Sequence, residues 1–114
     1  HFVKRIVSAF CNSYKGLKSV WRDEAAFRQE VILALFLIPL ALYLDVTPLE
    51  RILLIATMLL VLLVEIINSA IEAVVDLASP EIHPLAGKAK DAGSLAVLVA
   101  FIILAFTWGL VLLS

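Results

Sequence analysis

The sequence predicts an all-α membrane protein: an amphipathic surface helix followed by three transmembrane helices, forming one integral-membrane domain over residues 1–114. Three observations carry this. Of the 114 residues 63% are hydrophobic, with a mean hydropathy of +1.07, more apolar surface than a soluble domain of that length can hide. The apolar residues fall in long runs separated by short proline-marked breaks. The basic residues are concentrated ahead of the first run, in a segment of helical periodicity.

Within residues 1–22, Phe2, Ile6, Phe10, Tyr14, Leu17 and Trp21 recur every three or four positions. Lys4, Arg5, Ser8, Asn12, Lys15, Lys18 and Arg22 take the opposite side. This pattern suits a helix lying in the headgroup plane, its cations toward anionic lipid or water. Asp23 is placed as the N-cap of the next helix, residues 25–44, in which Glu24 and Arg28 are spaced to pair. The fourteen apolar residues from Val31 to Leu44 reach the roughly 20 needed to span when counted from Ala25. The run also begins too late, and is wrongly flanked, for a cleavable signal peptide. Pro39 inside it is tolerable where neighbouring helices satisfy the freed carbonyl.

Thr47-Pro48-Leu49-Glu50 has the form of a capping box with proline at the first helical position, which starts the second span, residues 48–76. Ser79-Pro80-Glu81-Ile82-His83-Pro84 ends that region, and the third span covers residues 85–113. There Ala89, Gly93, Ala96 and Ala100 form a small-residue ridge for close helix packing. Tyr43 and Trp108 sit toward the ends of their spans, as interfacial aromatics do. Six of the nine Lys and Arg lie in residues 1–30 and two in the second connection, which places the N-terminus and that connection in the cytoplasm.

The chemistry gathers at the end of the second span. Glu65, Asn68, Ser69, Glu72 and Asp76 share one helical stripe, since successive residues turn through about 100°. From Ile52 to Glu65 is about 20 Å of helix, and Glu72 is about 10 Å further on. Against a hydrocarbon core about 30 Å thick, Glu65 lies below the far surface and Glu72 emerges at it. Carboxylates of this kind bind Mg²⁺, which uses one or two of them plus substrate phosphates, while Lys88 and Lys90 can neutralise phosphate oxygens. A P-loop is absent: Gly87-Lys88 lacks the following Ser or Thr, and Ile82 stands where the first glycine belongs. The single Cys11 excludes an intrachain disulfide and gives no thiolate metal site. On the residues alone, a small proton- or ion-coupled membrane protein remains an equal alternative, because intramembrane carboxylates also serve transport.

Three runs together, Glu24-Ala-Ala-Phe-Arg-Gln-Glu30, Glu65-Ile-Ile-Asn-Ser-Ala-Ile-Glu-Ala-Val-Val-Asp76 and Gly87-Lys-Ala-Lys-Asp-Ala-Gly-Ser94, resemble the small integral-membrane diacylglycerol kinases of bacteria. The resemblance covers essentially the whole chain. It implies a homotrimer in the bacterial inner membrane that uses ATP and Mg²⁺ to phosphorylate diacylglycerol to phosphatidic acid at the cytoplasmic interface, with no nucleic-acid partner. Carried onto this sequence, it implies Glu65 as catalytic base and Glu24 and Glu72 as metal ligands. Asn68, Lys90 and Asp91 would form the nucleotide and phosphate site, with Arg5, Glu81, His83 and Ser94 contributing. Undecaprenol kinase is the related activity that competes with this reading.

Overall fold

Four α-helices account for nearly the whole chain, and the computed structural model describes residues His1–Ser114: α1 (Phe2–Asp23), α2 (Ala25–Tyr43), α3 (Pro48–Ala78) and α4 (Pro84–Leu113). The last three are long and apolar enough to cross a membrane. Only Glu24, in an extended conformation, separates α1 from α2. No residue of α1 is buried, and the helix packs against α2.

The α1–α2 corner differs from the expectation in two ways. α1 continues through Asp23, so Asp23 does not cap α2; Glu24 holds that position without a side-chain cap. Asp23 instead accepts from Arg22 Nε at 2.9 Å, and this neighbour holds its carboxyl below the usual carboxylate range. Arg28 does not pair with Glu24 either. Its Nη1 donates to the carbonyls of Trp21 at 2.6 Å and Arg22 at 3.1 Å. The last carbonyls of a helix lack intrahelical partners and carry the negative end of its dipole, so a cation one corner away settles there.

The opposite corner is closed by the same device. Arg51 on α3 reaches back so that Nη1 donates to Ala41 (2.6 Å), Leu42 (3.0 Å) and Leu44 (3.0 Å), while Nη2 donates to Val46 (3.3 Å). Beside it the Thr47–Glu50 capping box is complete: Glu50 N–H donates to Thr47 Oγ1 at 3.2 Å and Thr47 N–H donates to Glu50 Oε1 at 2.9 Å.

α3 is the central element, packed against α2 on one side and α4 on the other. The core is a single cluster of Ala34 and Ala41 from α2, Leu54, Met58 and Val61 from α3, and Ala100, Leu104 and Trp108 from α4. Trp108 thus belongs to the core and not to an interfacial belt: it is 7% exposed, and its Nε1 donates to the Leu54 carbonyl at 3.1 Å. An indole N–H in an apolar environment needs an acceptor, and the tryptophan turns inward to find one. Tyr43, by contrast, is exposed at the end of α2. The small-residue ridge is narrower than expected, because Gly93 and Ala100 are buried while Ala96 is exposed. Only 14 of the 114 residues are buried, so the leucine and isoleucine rows along all three long helices are left to lipid or to further protein surfaces.

Candidate active site

α3 is 31 residues long, about 46 Å at 1.5 Å per residue, well beyond a hydrocarbon core of about 30 Å. Beyond Glu50, Arg51 and Thr57 near its start, its polar residues fall in the C-terminal part. Glu65 and Asn68, one turn apart, are 4% and 8% exposed, and Asn68 Nδ2 donates to Glu65 Oε2 at 3.5 Å. Asn68 Oδ1 is buried without a partner, and Gly93 of α4 lies against it so closely that a Cβ there would collide with the amide. Glycine at position 93 is therefore a requirement of this close approach, which brings α4 onto the polar stripe.

The next residue of α3, Ser69, points toward the α1–α2 corner and donates through Oγ to Glu24 Oε1 at 3.0 Å. Glu72, half-buried, follows one turn later and feels the charges of Glu24 and Glu65 together with those of Lys90 and Asp76. Lys90 reaches across from α4 to pair with Asp76 at 2.6 Å, both side chains being largely solvated. Four carboxyl groups and one ammonium group thus gather at the α3 end, drawn from the α1–α2 corner, α3 and α4.

Beyond them an open cavity of about 400 Å³ is lined by Asp76, Ser79, Glu81, His83 and Lys90 among others. His83 caps α4: its Nδ1 accepts from Leu85 N–H at 3.0 Å, which leaves the proton of the neutral ring on Nε2 as a donor. Ser79 Oγ donates to the Glu81 carbonyl at 2.9 Å and tightens the connection. The cavity therefore offers an ammonium group and an imidazole N–H, the kind of donors that phosphate and purine edges accept.

Of the residues expected in a site, Glu24, Glu65, Asn68, Glu72 and Lys90 are brought together, and Glu81 and His83 share the adjoining cavity with Lys90. Three are not gathered in. Arg5 is exposed on α1, and Asp91 and Ser94 are exposed on faces of α4 that make no side-chain hydrogen bond to the cluster. Asp91 follows Lys90 directly, and the turn of about 100° per residue carries it off the Lys90 face. No set of three or more acidic, histidine or cysteine side chains converges as a complete metal cage. Glu24 and Glu72, close enough to influence each other, fit the smaller demand of a cation that completes its shell with water and phosphate.

One participant escaped the sequence pattern. Glu30 of α2 is 6% exposed and lies one turn from Ala34, as Glu65 lies one turn from Val61 on α3; Ala34 and Val61 share one core, which brings the two buried carboxyl groups to the same level. The sequence by itself assigns it no role. The signal that identifies it is the stripe it shares with Phe27, Ala34 and Ala41, all buried against the bundle.

The sequence matches the prokaryotic diacylglycerol kinase family over residues 11–112. It is 51% identical to the diacylglycerol kinase of Escherichia coli K12 over 110 residues, covering 96% of this chain and 90% of that one. Against the diacylglycerol kinase of Pseudomonas aeruginosa it is 51% identical over 112 residues, covering 98% and 91%. The Haemophilus influenzae diacylglycerol kinase is 48% identical over 97 residues, covering 85% and 82%. With a shared pattern of this extent and a bundle of three membrane-length helices, the chain belongs to the prokaryotic diacylglycerol kinase family.

Proposed function

We propose that this protein transfers the γ-phosphate of ATP to the hydroxyl of diacylglycerol, yielding phosphatidic acid at the cytoplasmic face of the bacterial inner membrane. The observation that carries this is the division of one helix face: a buried carboxyl, Glu65, lies below an aqueous-facing group of Glu72, Lys90 and the cavity at the α3–α4 connection. A lipid hydroxyl reaches the first from the bilayer and a nucleotide reaches the second from water.

Glu65 is assigned as the base. It takes the proton of the lipid hydroxyl as the new bond from that oxygen to Pγ forms and the bond from Pγ to the β-phosphate oxygen breaks, releasing ADP. Asn68 Nδ2 orients the Glu65 carboxylate. Lys90 leaves its solvated pair with Asp76 to meet phosphate oxygens, and His83 and Glu81 line the space for the nucleoside. Arg5, Asp91 and Ser94 join only when nucleotide, lipid or another protomer approaches their exposed faces. Glu24 and Glu72 would hold Mg²⁺, which supplies neutralisation of charge on the transferring phosphoryl group.

Two further features support an assembled membrane enzyme. α1 presents its aromatic residues on one face and its cations on the other, suited to the headgroup plane. The protomer leaves large apolar faces uncovered and its polar site open on one side, in keeping with a homotrimer.

The test is ATP-dependent phosphorylation of diacylglycerol and undecaprenol offered in parallel in mixed micelles. Diacylglycerol as the preferred acceptor supports the reading; preference for undecaprenol reassigns the substrate. A Glu65→Gln variant with wild-type turnover removes Glu65 as base.

A further inference from the structure

Glu30 has a place in the structure that metal binding at Glu24 and Glu72 leaves unexplained. It stands on the inward stripe of α2, and its Oε1 is buried with no hydrogen-bond donor in the protein. Its counter-charge is missing as well: the ion pairs of the chain are Arg22–Asp23 and Lys90–Asp76, both elsewhere. Burying a carboxyl group without a partner is costly. Glu30 lies one turn from Ala34 on α2 and Glu65 one turn from Val61 on α3, and since Ala34 and Val61 share one core, the antiparallel helices set these two buried carboxyl groups at the same level. Two carboxyl groups form a hydrogen bond only when a proton lies between them, one acting as O–H donor and the other as acceptor.

We propose that Glu30 is a positioning residue for Glu65: its carboxyl O–H, buried and without another partner, donates to Glu65, which Asn68 Nδ2 also grips at Oε2. This rests on the reading of Glu65 as base. A glutamate has several rotatable bonds, and the Asn68 contact, at 3.5 Å, is a long one. A second donor from a different helix fixes the carboxylate against both α2 and α3, and leaves a free lone pair for the lipid hydroxyl. During transfer the hydroxyl proton passes to Glu65, while Glu30 keeps its own proton and touches neither lipid nor nucleotide. The spacing of α2 and α3 thereby becomes a determinant of turnover, since a displacement of about 1 Å at a reacting group can cost on the order of 100-fold in rate.

The experiment compares Glu30→Gln, Glu30→Ala and Glu65→Gln in the full chain, with steady-state kinetics and infrared spectroscopy of the carboxyl region. Alanine removes the donor and is expected to lower kcat roughly 10- to 100-fold with KM for ATP unchanged. Glutamine keeps an N–H donor and should restore most of the turnover that alanine loses. The C=O stretch of a protonated, hydrogen-bonded carboxylic acid should be present in the wild type and absent in Glu30→Gln; in Glu65→Gln it should persist at the frequency of a changed partner. Wild-type kcat in Glu30→Ala, equal loss in the glutamine and alanine variants, or no acid band in the wild type overturns the proposal. Should Glu30→Ala fail to assemble, Glu30→Gln kinetics and the infrared band decide. Full turnover in Glu65→Gln removes the base assignment instead, and the band then still reports whether the two carboxyl groups meet.

Discussion

Replacing Arg51 by alanine removes a single guanidinium that holds the carbonyls of Ala41, Leu42, Leu44 and Val46 at 2.6 to 3.3 Å. Ala41 is fully buried, so no water replaces the guanidinium at its carbonyl. Hydrogen bonds to a charged group contribute about 1.5–3 kcal/mol each, and an orphaned buried acceptor costs about 1–3 kcal/mol. The four bonds share one side chain and are not additive, and Leu42 is exposed enough to be rehydrated. A net loss of about 2–4 kcal/mol is expected. Lysine should recover only part of it, because an ammonium point charge lacks the planar fork that spans several carbonyls. Arg51 lies fourteen residues before Glu65 on α3, about 21 Å along the axis, so kcat below the unfolding range should stay at the wild-type value. The assay is thermal inactivation and unfolding in detergent beside initial-rate kinetics. An Arg51→Ala protein as stable as the wild type, or one that loses kcat without losing stability, would refute the argument.

Gly93→Ala should force the Asn68 amide away from α4, costing about 1–3 kcal/mol of stability and lowering kcat through Glu65; unfolding and turnover are read together. Trp108→Phe should cost about 1 kcal/mol by removing the bond to Leu54, whereas Trp108→Ala should cost about 3–5 kcal/mol, seen as ordered losses of thermal stability. Lys90→Met should raise KM for ATP, while Asp76→Asn, which frees Lys90 from its partner, should leave that KM unchanged or lower it. A fall in ATP affinity for Asp76→Asn would show that the pair itself builds the site.

The features legible in advance share a local cause. A run of apolar residues long enough to span must satisfy its backbone within itself, so three such runs mean three helices whatever surrounds them. The Thr47–Glu50 box joins residues three apart and reads directly from the chain. The polar stripe from Glu65 to Asp76 follows from helical geometry alone. Arg28 and Trp108 sit elsewhere than their own helices suggest because each side chain finds its partner across a corner or on another helix: Trp21 and Arg22 for the first, Leu54 for the second. A charged or amphipathic residue near a helix end reads as interfacial when only its own helix is considered.

By itself, then, the sequence determined an all-helical membrane chain, the polar face of α3 and the family to which both belong, since backbone satisfaction and helical periodicity act within a segment. Tertiary structure decided which of those polar groups meet. The Gly93–Asn68 approach, the Ser69–Glu24 bond and the burial of Glu30 and Glu65 at one level depend on how close three helices come, and that distance is set by the alanines, leucines and Trp108 packed between them.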